Sequence, residues 1–367
     1  MPTSRARTTG SAVSGPRAVY TAASMYYAQG ETMEVIARHL GVSRSTVSRL
    51  LARARQEGVV RIELREPGAA GSLEHRFLDE HGVRARIVPV REGTTEIHRL
   101  QQVAAVAALA LTEMIDAEAT AGAPPADGGR TASASRNGRD ALPAAAEEDG
   151  IVVGVAWGTT MSELSAALPT RPVPGLTVVQ LNGASDPLRE GPSAGELLAR
   201  MGQCLGARTI AFPVPAFFDQ VATREAMWSE RSVKRVLAVA ARARIAVFGV
   251  GSLDSDLPSQ VYAGGHLSRT DLAVARREEV VGDVCTVLLR ADGTWRDIDL
   301  NARATGPTPS QLARVPRRLC VVAGTGKARA ALAALRARVA TDLVIDDATA
   351  RAVLALGHRK DHREDWT

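Results

Sequence analysis

The chain has 367 residues and 38.7 kDa, enough for two or three domains, with 45% hydrophobic residues to build a core and only 4% aromatics. Its formal charge of +5 and pI near 9.5 permit an anionic partner without demanding one. No apolar run reaches the ~18 residues of a membrane span and the start has no signal core, so no membrane partner is expected. Cys204, Cys285 and Cys320 fit neither a zinc spacing nor a disulfide framework, and a reducing, cytoplasmic setting is the expectation.

Residues 1–16, rich in Ser, Thr, Gly and Arg, read as a disordered arm. Residues 17–66 read as a DNA-binding domain. A first helix over 17–29 offers Val19, Ala23 and Tyr26 as cover for the pair that follows. Val35, Ile36 and Leu40 have helical spacing, Gly41 ends that helix, and Ser43 caps another whose inner face is Val47, Leu50 and Leu51. Helix, glycine turn and helix make a helix-turn-helix pattern. Its second helix would expose Arg44, Ser45, Thr46, Ser48 and Arg49, hydroxyls and forked cations suited to base edges and phosphates. Alternating residues 59–64 predict a short strand, as in a winged helix, or the start of a connector.

Residues 67–71 read as a linker into an effector and oligomerisation domain, 67–367. A helix over 72–81 and a strand over 85–90 precede a long apolar helix over 95–117, too widely apolar for one buried stripe. Residues 118–149 change abruptly to Ala, Gly, Pro, Ser, Arg and Asp without periodicity and read as a flexible insertion. Strands over 151–157, 176–181, 208–212, 245–250, 319–323 and 343–345 then alternate with helices over 161–168, 193–205, 224–241, 327–339 and 347–356. Near-continuous apolar strands alternating with helices predict an α/β domain with a mainly parallel sheet and a ligand at the carboxyl ends of its strands.

Three glycine-rich segments follow strands: Gly158-Thr159-Thr160, Gly249-Val250-Gly251-Ser252 and Gly324-Thr325-Gly326-Lys327. Loops entering helices offer free N–H groups to an anion, and the first and third could share one if they are neighbours. Neither is a P-loop, since Val321 and Ala328 break that spacing. Asp283, expected just before a strand over 285–289, either binds a sugar hydroxyl, acts as a base or caps a turn. Asp254 and Asp256 read as turn residues. His358 and His362 have ligand-like spacing but lie in a charged tail, so no metal site is expected.

These stretches, with Trp157 ahead of the first loop and Val178-Val179-Gln180-Leu181-Asn182-Gly183, resemble the SorC-type sugar-responsive bacterial transcription regulators, grouped with the deoxyribonucleoside regulator. The resemblance implies a Rossmann-like effector domain that binds a phosphorylated sugar or polyol and assembles as a dimer or tetramer. It implies Thr159, Thr160, Gly326 and Lys327 for the phosphate and Asn182, Ser193, Gly251 and Asp283 for the sugar. The reading is a cytoplasmic transcription regulator of operator DNA, without cofactor and not an enzyme. The alternative is a phosphosugar isomerase- or deaminase-like enzyme with Asp283 as base, for which no second acid or base stands out.

Overall fold

The computed structural model describes residues 15–28, 31–60, 72–121, 150–184, 193–253, 255 and 259–364, with side chains as far as His358. They divide into two compact units, 1–68 and 69–367.

In the first unit, α1 (Pro16–Ala23) begins with a proline at its first turn, where no intrahelical N–H is needed. It continues into a π-helical turn, Ser24–Ala28, so the single helix expected over 17–29 changes its winding midway. Helix α2 (Met33–Leu40) is capped by the Thr32 hydroxyl and ends at Gly41, φ 65°. Helix α3 (Arg44–Gln56) starts where Ser43 Oγ accepts the Thr46 N–H at 3.2 Å. Val19, Ala22, Ile36, Val47, Leu50, Leu51 and Ala54 form the core among the three helices. Burying each of the larger side chains contributes about 1.5–3 kcal/mol. Val59 and Val60 are not in a strand; the rest of the expected wing, the linker and residues 1–14 lie outside the described residues.

The second unit runs α4 (Leu73–His81), β1 (Arg84–Val88), α5 (Glu96–Ala121), β2 (Val152–Val155), α6 (Thr159–Ala166), β3 (Thr177–Gln180), α7 (Ala194–Leu205) and β4 (Arg208–Ile210). It continues with α8 (Val221–Ser229), α9 (Arg231–Ala240), β5 (Ile245–Gly249), β6 (Gly251–Ser252), α10 (Gln260–Ala263), α11 (Arg269–Arg277), β7 (Val280–Val284) and β8 (Val287–Arg290). Last come α12 (Pro309–Leu312), β9 (Arg317–Val322), α13 (Ala328–Arg336), β10 (Asp342–Asp346) and α14 (Asp347–Glu364). Seven strands form one sheet, β1-β10-β9-β5-β2-β3-β4, in which every pairing is parallel. A smaller antiparallel sheet, β6-β7-β8, continues from the end of β5.

Alternation along the buried strands splits the core into two layers. Val153 and Val155 pack with residues of α5, α6 and α7; Val152 and Ala156 pack with residues of α4, α13 and α14. From β2 the chain goes to β3 and β4 on one side, then returns to β5 on the other. That reversal opens a crevice above β2 and β5, where ligands of open α/β sheets bind.

Several expected boundaries move. Helix α5 extends four residues into the segment assigned to the insertion, whose residues 122–149 lie outside the described residues. The helix expected over 224–241 is two, because Glu230 adopts an extended conformation, ψ 140°, between α8 and α9. Asp283 does not precede a strand but lies within β7; Cys285 and Thr286, both at positive φ, make the two-residue turn to β8. The antiparallel sheet had no expected counterpart, since its strands are short and β6 has only two residues.

Candidate functional site

Six of the eight expected effector residues, Thr159, Thr160, Asn182, Gly251, Asp283 and Lys327, line one pocket at the carboxyl ends of β2, β5 and β9. Strand β5 separates β2 from β9, so the first and third glycine loops stand two strand spacings apart, about 10 Å. They are not immediate neighbours, and the long Lys327 side chain is what brings the third loop into the pocket. Gly326 is at the rim, its carbonyl accepting the Ser252 hydroxyl at 3.1 Å, and does not line the pocket. Ser193 is spent on capping α7, accepting the Gly195 N–H at 3.2 Å, and is not among the lining residues.

Helix α6 starts at Thr159 itself, two residues earlier than expected, and its N-terminus has no side-chain cap. Thr160 is buried and packs over Gly249, so the loops after β2 and β5 are in contact. Asn182 supports this corner: its Oδ1 accepts the Trp157 N–H at 3.3 Å, while the Trp157 indole donates to the Gly183 carbonyl. Gln180 holds the same strand end by donating to the Asn182 carbonyl at 2.7 Å and accepting from Phe212 N at 3.2 Å. The segment 178–183 is therefore in part a clamp for the tryptophan.

On the opposite wall, Asp283 is buried. Its Oδ2 accepts the Thr286 N–H at 3.1 Å, which also holds the positive-φ turn. The Tyr262 and Ser259 hydroxyls lie close enough to the carboxyl to draw on its charge, without a well-formed hydrogen bond to Oδ1. Desolvation pushes the Asp283 carboxyl up to about 6, against the pull of the Thr286 amide, the two hydroxyls and Lys327. A side chain at Gly251 would meet Asp283 Oδ1 at 1.9 Å, so only glycine fits there. Lys327 is also buried, and desolvation lowers its pKa while Asp283, then Glu96, hold it up. No carboxylate among the described residues comes within ion-pair distance of its ammonium. Asp283 and Lys327 thus line one cavity of about 60 Å³.

Ser259, Tyr262 and Thr286 were not among the expected site residues. No glycine loop or motif marks Ser259 and Tyr262, and Thr286 reads in sequence as part of a strand. Asp254, Asp256 and His362 fall outside the residues or side chains described; His358 donates from Nδ1 to the Leu354 carbonyl at 2.8 Å and its Nε2 accepts from Arg76 at 3.4 Å. No cluster of three metal-ligating side chains occurs among the described residues, and no described helix is long and apolar enough to cross a membrane.

In the first unit, Arg44, Ser45, Ser48 and Arg49 are exposed on α3, while Thr46 is half-buried. Ser43 Oγ lies 2.8 Å from Ser45 Oγ and 2.9 Å from Thr46 Oγ1, so two of the expected hydroxyls join the helix cap. Arg44 reaches Glu34 at 3.1 Å, whereas among the described residues Arg49 meets the Ser45 carbonyl on its own helix.

The family model of a sugar-binding domain, Sugar-bind, matches residues 127–355, and that of a homeodomain-like domain matches residues 22–61. The deoxyribonucleoside regulator of Bacillus subtilis is 27% identical over 333 residues, 91% of this chain and 96% of its own. A crystal structure titled as a domain of a possible sugar-binding transcriptional regulator from Arthrobacter aurescens TC1 is 37% identical. It superposes with a TM-score of 0.64 over 79% of this chain and 99% of that one. The full-length sorbitol operon regulator SorC of Klebsiella pneumoniae, 21% identical, shares the fold with a TM-score of 0.65 over 94% of this chain and 100% of that one. These relatives are named as regulators, and the isomerase alternative finds no support among them. A helix-turn-helix unit, a parallel sheet with its crevice between β2 and β5, and a match over more than half the chain converge: it belongs to the SorC-type family of sugar-binding, DNA-binding transcriptional regulators.

Proposed function

We propose that the chain regulates transcription in response to a phosphorylated sugar or polyol held at the carboxyl edge of the seven-stranded sheet. Thr159, Thr160 and Lys327, with the backbone around Gly326, hold the phosphate; Asn182, Gly251 and Asp283 face the hydroxyls. Ser193 supports this wall through the α7 cap and makes no ligand contact. The observation that carries the reading is the buried Lys327 ammonium, which has no ion-pair partner among the described residues, in one pocket with the buried Asp283 carboxyl and the hydroxyls of Ser259 and Tyr262 close to it. Buried polar groups pair with protein, with ordered water or with what binds beside them. A polyhydroxylated anion supplies both what the lysine needs and what the carboxylate accepts. The names of the relatives, which refer to deoxyribonucleosides and sorbitol, agree with small polyhydroxylated effectors. Switching requires that the effector favour one arrangement of the protein over another.

The other partner is operator DNA. Helix α3 enters the major groove with Arg44, Ser45, Thr46, Ser48 and Arg49, and homo-oligomers present paired units to paired half-sites. A thermal-shift screen of sugar and polyol phosphates against their unphosphorylated parents tests the effector: a true ligand raises the melting temperature, by mass action on the folded state. A panel in which parents stabilise as well as phosphates rejects the phosphate. Loss or gain of a gel-shifted promoter complex with the same compound connects it to DNA.

A further inference from the structure

The third glycine loop already has an anion resting on it. Glu96, in the first turn of α5, places Oε2 where a side chain at Gly324 would begin, 2.4 Å from that position. Gly324 has φ 98°, so no side chain competes with the carboxylate for the space. The loop is held from behind by Asp346, fully buried, whose Oδ2 accepts the Gly324 N–H at 3.0 Å and whose Oδ1 receives Arg99 Nη1 at 2.8 Å. Arg99 in turn stands 3.4 Å from Glu96 Oε1, but its Nε makes no hydrogen bond. Glu96 is thus close to the loop and to Arg99 without a well-formed bond to either, and its charge acts on Lys327 from outside the pocket. By contrast, the Thr325 and Gly326 N–H groups make no hydrogen bond among the described residues.

We propose that Glu96 is a selectivity carboxylate: an internal competitor that an incoming oxyanion displaces from the Gly324–Lys327 loop. This rests on the reading of the pocket as a phosphate seat. An anion strong enough to take the loop N–H groups and the Lys327 ammonium meets Glu96 as a like charge, and the side chain, about one-third exposed and held only by the 3.4 Å contact with Arg99 among the described residues, turns toward water. Weak or singly charged anions do not repay that displacement, so the carboxylate sets a threshold against bulk anions. The same movement releases the first turn of α5 from the loop, while Asp346 and Arg99 keep the loop and helix in register.

The test is titration of the full-length wild-type protein and of Glu96→Gln with inorganic phosphate by calorimetry at low ionic strength. Removing one like charge several ångströms from the seat tightens binding by roughly tenfold at an effective dielectric between protein and water. Introducing Lys327→Ala in the Glu96→Gln background removes the gain, since the ammonium is what the competitor shields. Glu96→Asp, which retains charge on a shorter arm, behaves nearer to wild type than to Glu96→Gln. Wild type and Glu96→Gln binding phosphate equally, or the variant binding it more weakly, overturns the role of Glu96 and leaves the phosphate seat standing. Absence of binding in every variant, for phosphate and for sugar phosphates alike, overturns both.

Discussion

Replacing Asp283 by Asn tests the electrostatics of the pocket without reference to any ligand. In the folded chain the carboxyl titrates at about 6; in an unfolded chain an aspartate titrates near ~3.9. The folded state therefore binds the extra proton between those values. Stability due to neutral Asp283 is fully present below about pH 3.9 and is lost as pH rises through the folded value of about 6. Two units at about 1.36 kcal/mol each come to about 3 kcal/mol by pH 7.5. Asparagine keeps the shape and can still accept the Thr286 N–H, but it never ionises, so it escapes that loss. Its bond to Thr286 is weaker than that of a charged acceptor by about 1 kcal/mol. The variant should be equal to wild type or less stable by up to about 1 kcal/mol near pH 4, and more stable by about 2–3 kcal/mol at pH 7.5. Urea unfolding at matched pH values measures this, and titrating groups outside the pocket, common to both proteins, cancel in the difference. A difference that stays flat from pH 4 to 7.5 refutes the assignment of a strained, desolvated carboxylate.

Arg49→Ala should weaken operator binding by about 1–3 kcal/mol if the arginine reads a base, or lower the salt slope by about one if it meets a phosphate. Arg44→Ala should cost less, because the free protein already pairs Arg44 with Glu34; equal gel-shift losses for the two would contradict this ordering. Lys327→Ala should reduce the affinity for a phosphosugar about 10- to 100-fold while hardly changing that of the unphosphorylated parent. Calorimetry showing equal losses for both would place the lysine elsewhere than at the phosphate. Phe248→Ala, fully buried in β5 between the two flanking strands, should destabilise the second unit by about 3–5 kcal/mol in denaturant unfolding, and a loss below about 1 kcal/mol would mean that the layer collapses around the gap.

The helix-turn-helix was legible because its information is local. Thr32 and Ser43 cap, Gly41 turns, and Ile36, Val47, Leu50 and Leu51 repeat with the helical period, all within twenty residues. The parallel strands were legible for a related reason: a strand buried on both faces is a continuous apolar run, and Val152–Val155, Ile245–Gly249 and Arg317–Val322 were found within a few residues of their ends. The hairpin of β7 and β8 was misread because Cys285 and Thr286 carry no turn signal; residues of that type seldom take positive φ, and the Asp283 and Gly306 contacts help hold them there. Ser193 was picked out by its position and proved to be a helix cap, a role that a serine ahead of a helix equally predicts.

Residues alone determined the two classes of unit, the chemistry facing solvent on α3, and the supply of glycine, threonine and lysine at strand ends. What they could not determine was company. Sheet order brought three loops separated by up to 170 positions to one edge, and the chain's reversal between β2 and β5 made that edge a pocket. Burial then raised one carboxyl and lowered one ammonium, and packing of α5 set Glu96 over Gly324. Desolvation and proximity are properties of the folded whole, since no single segment contains both members of any of these pairs.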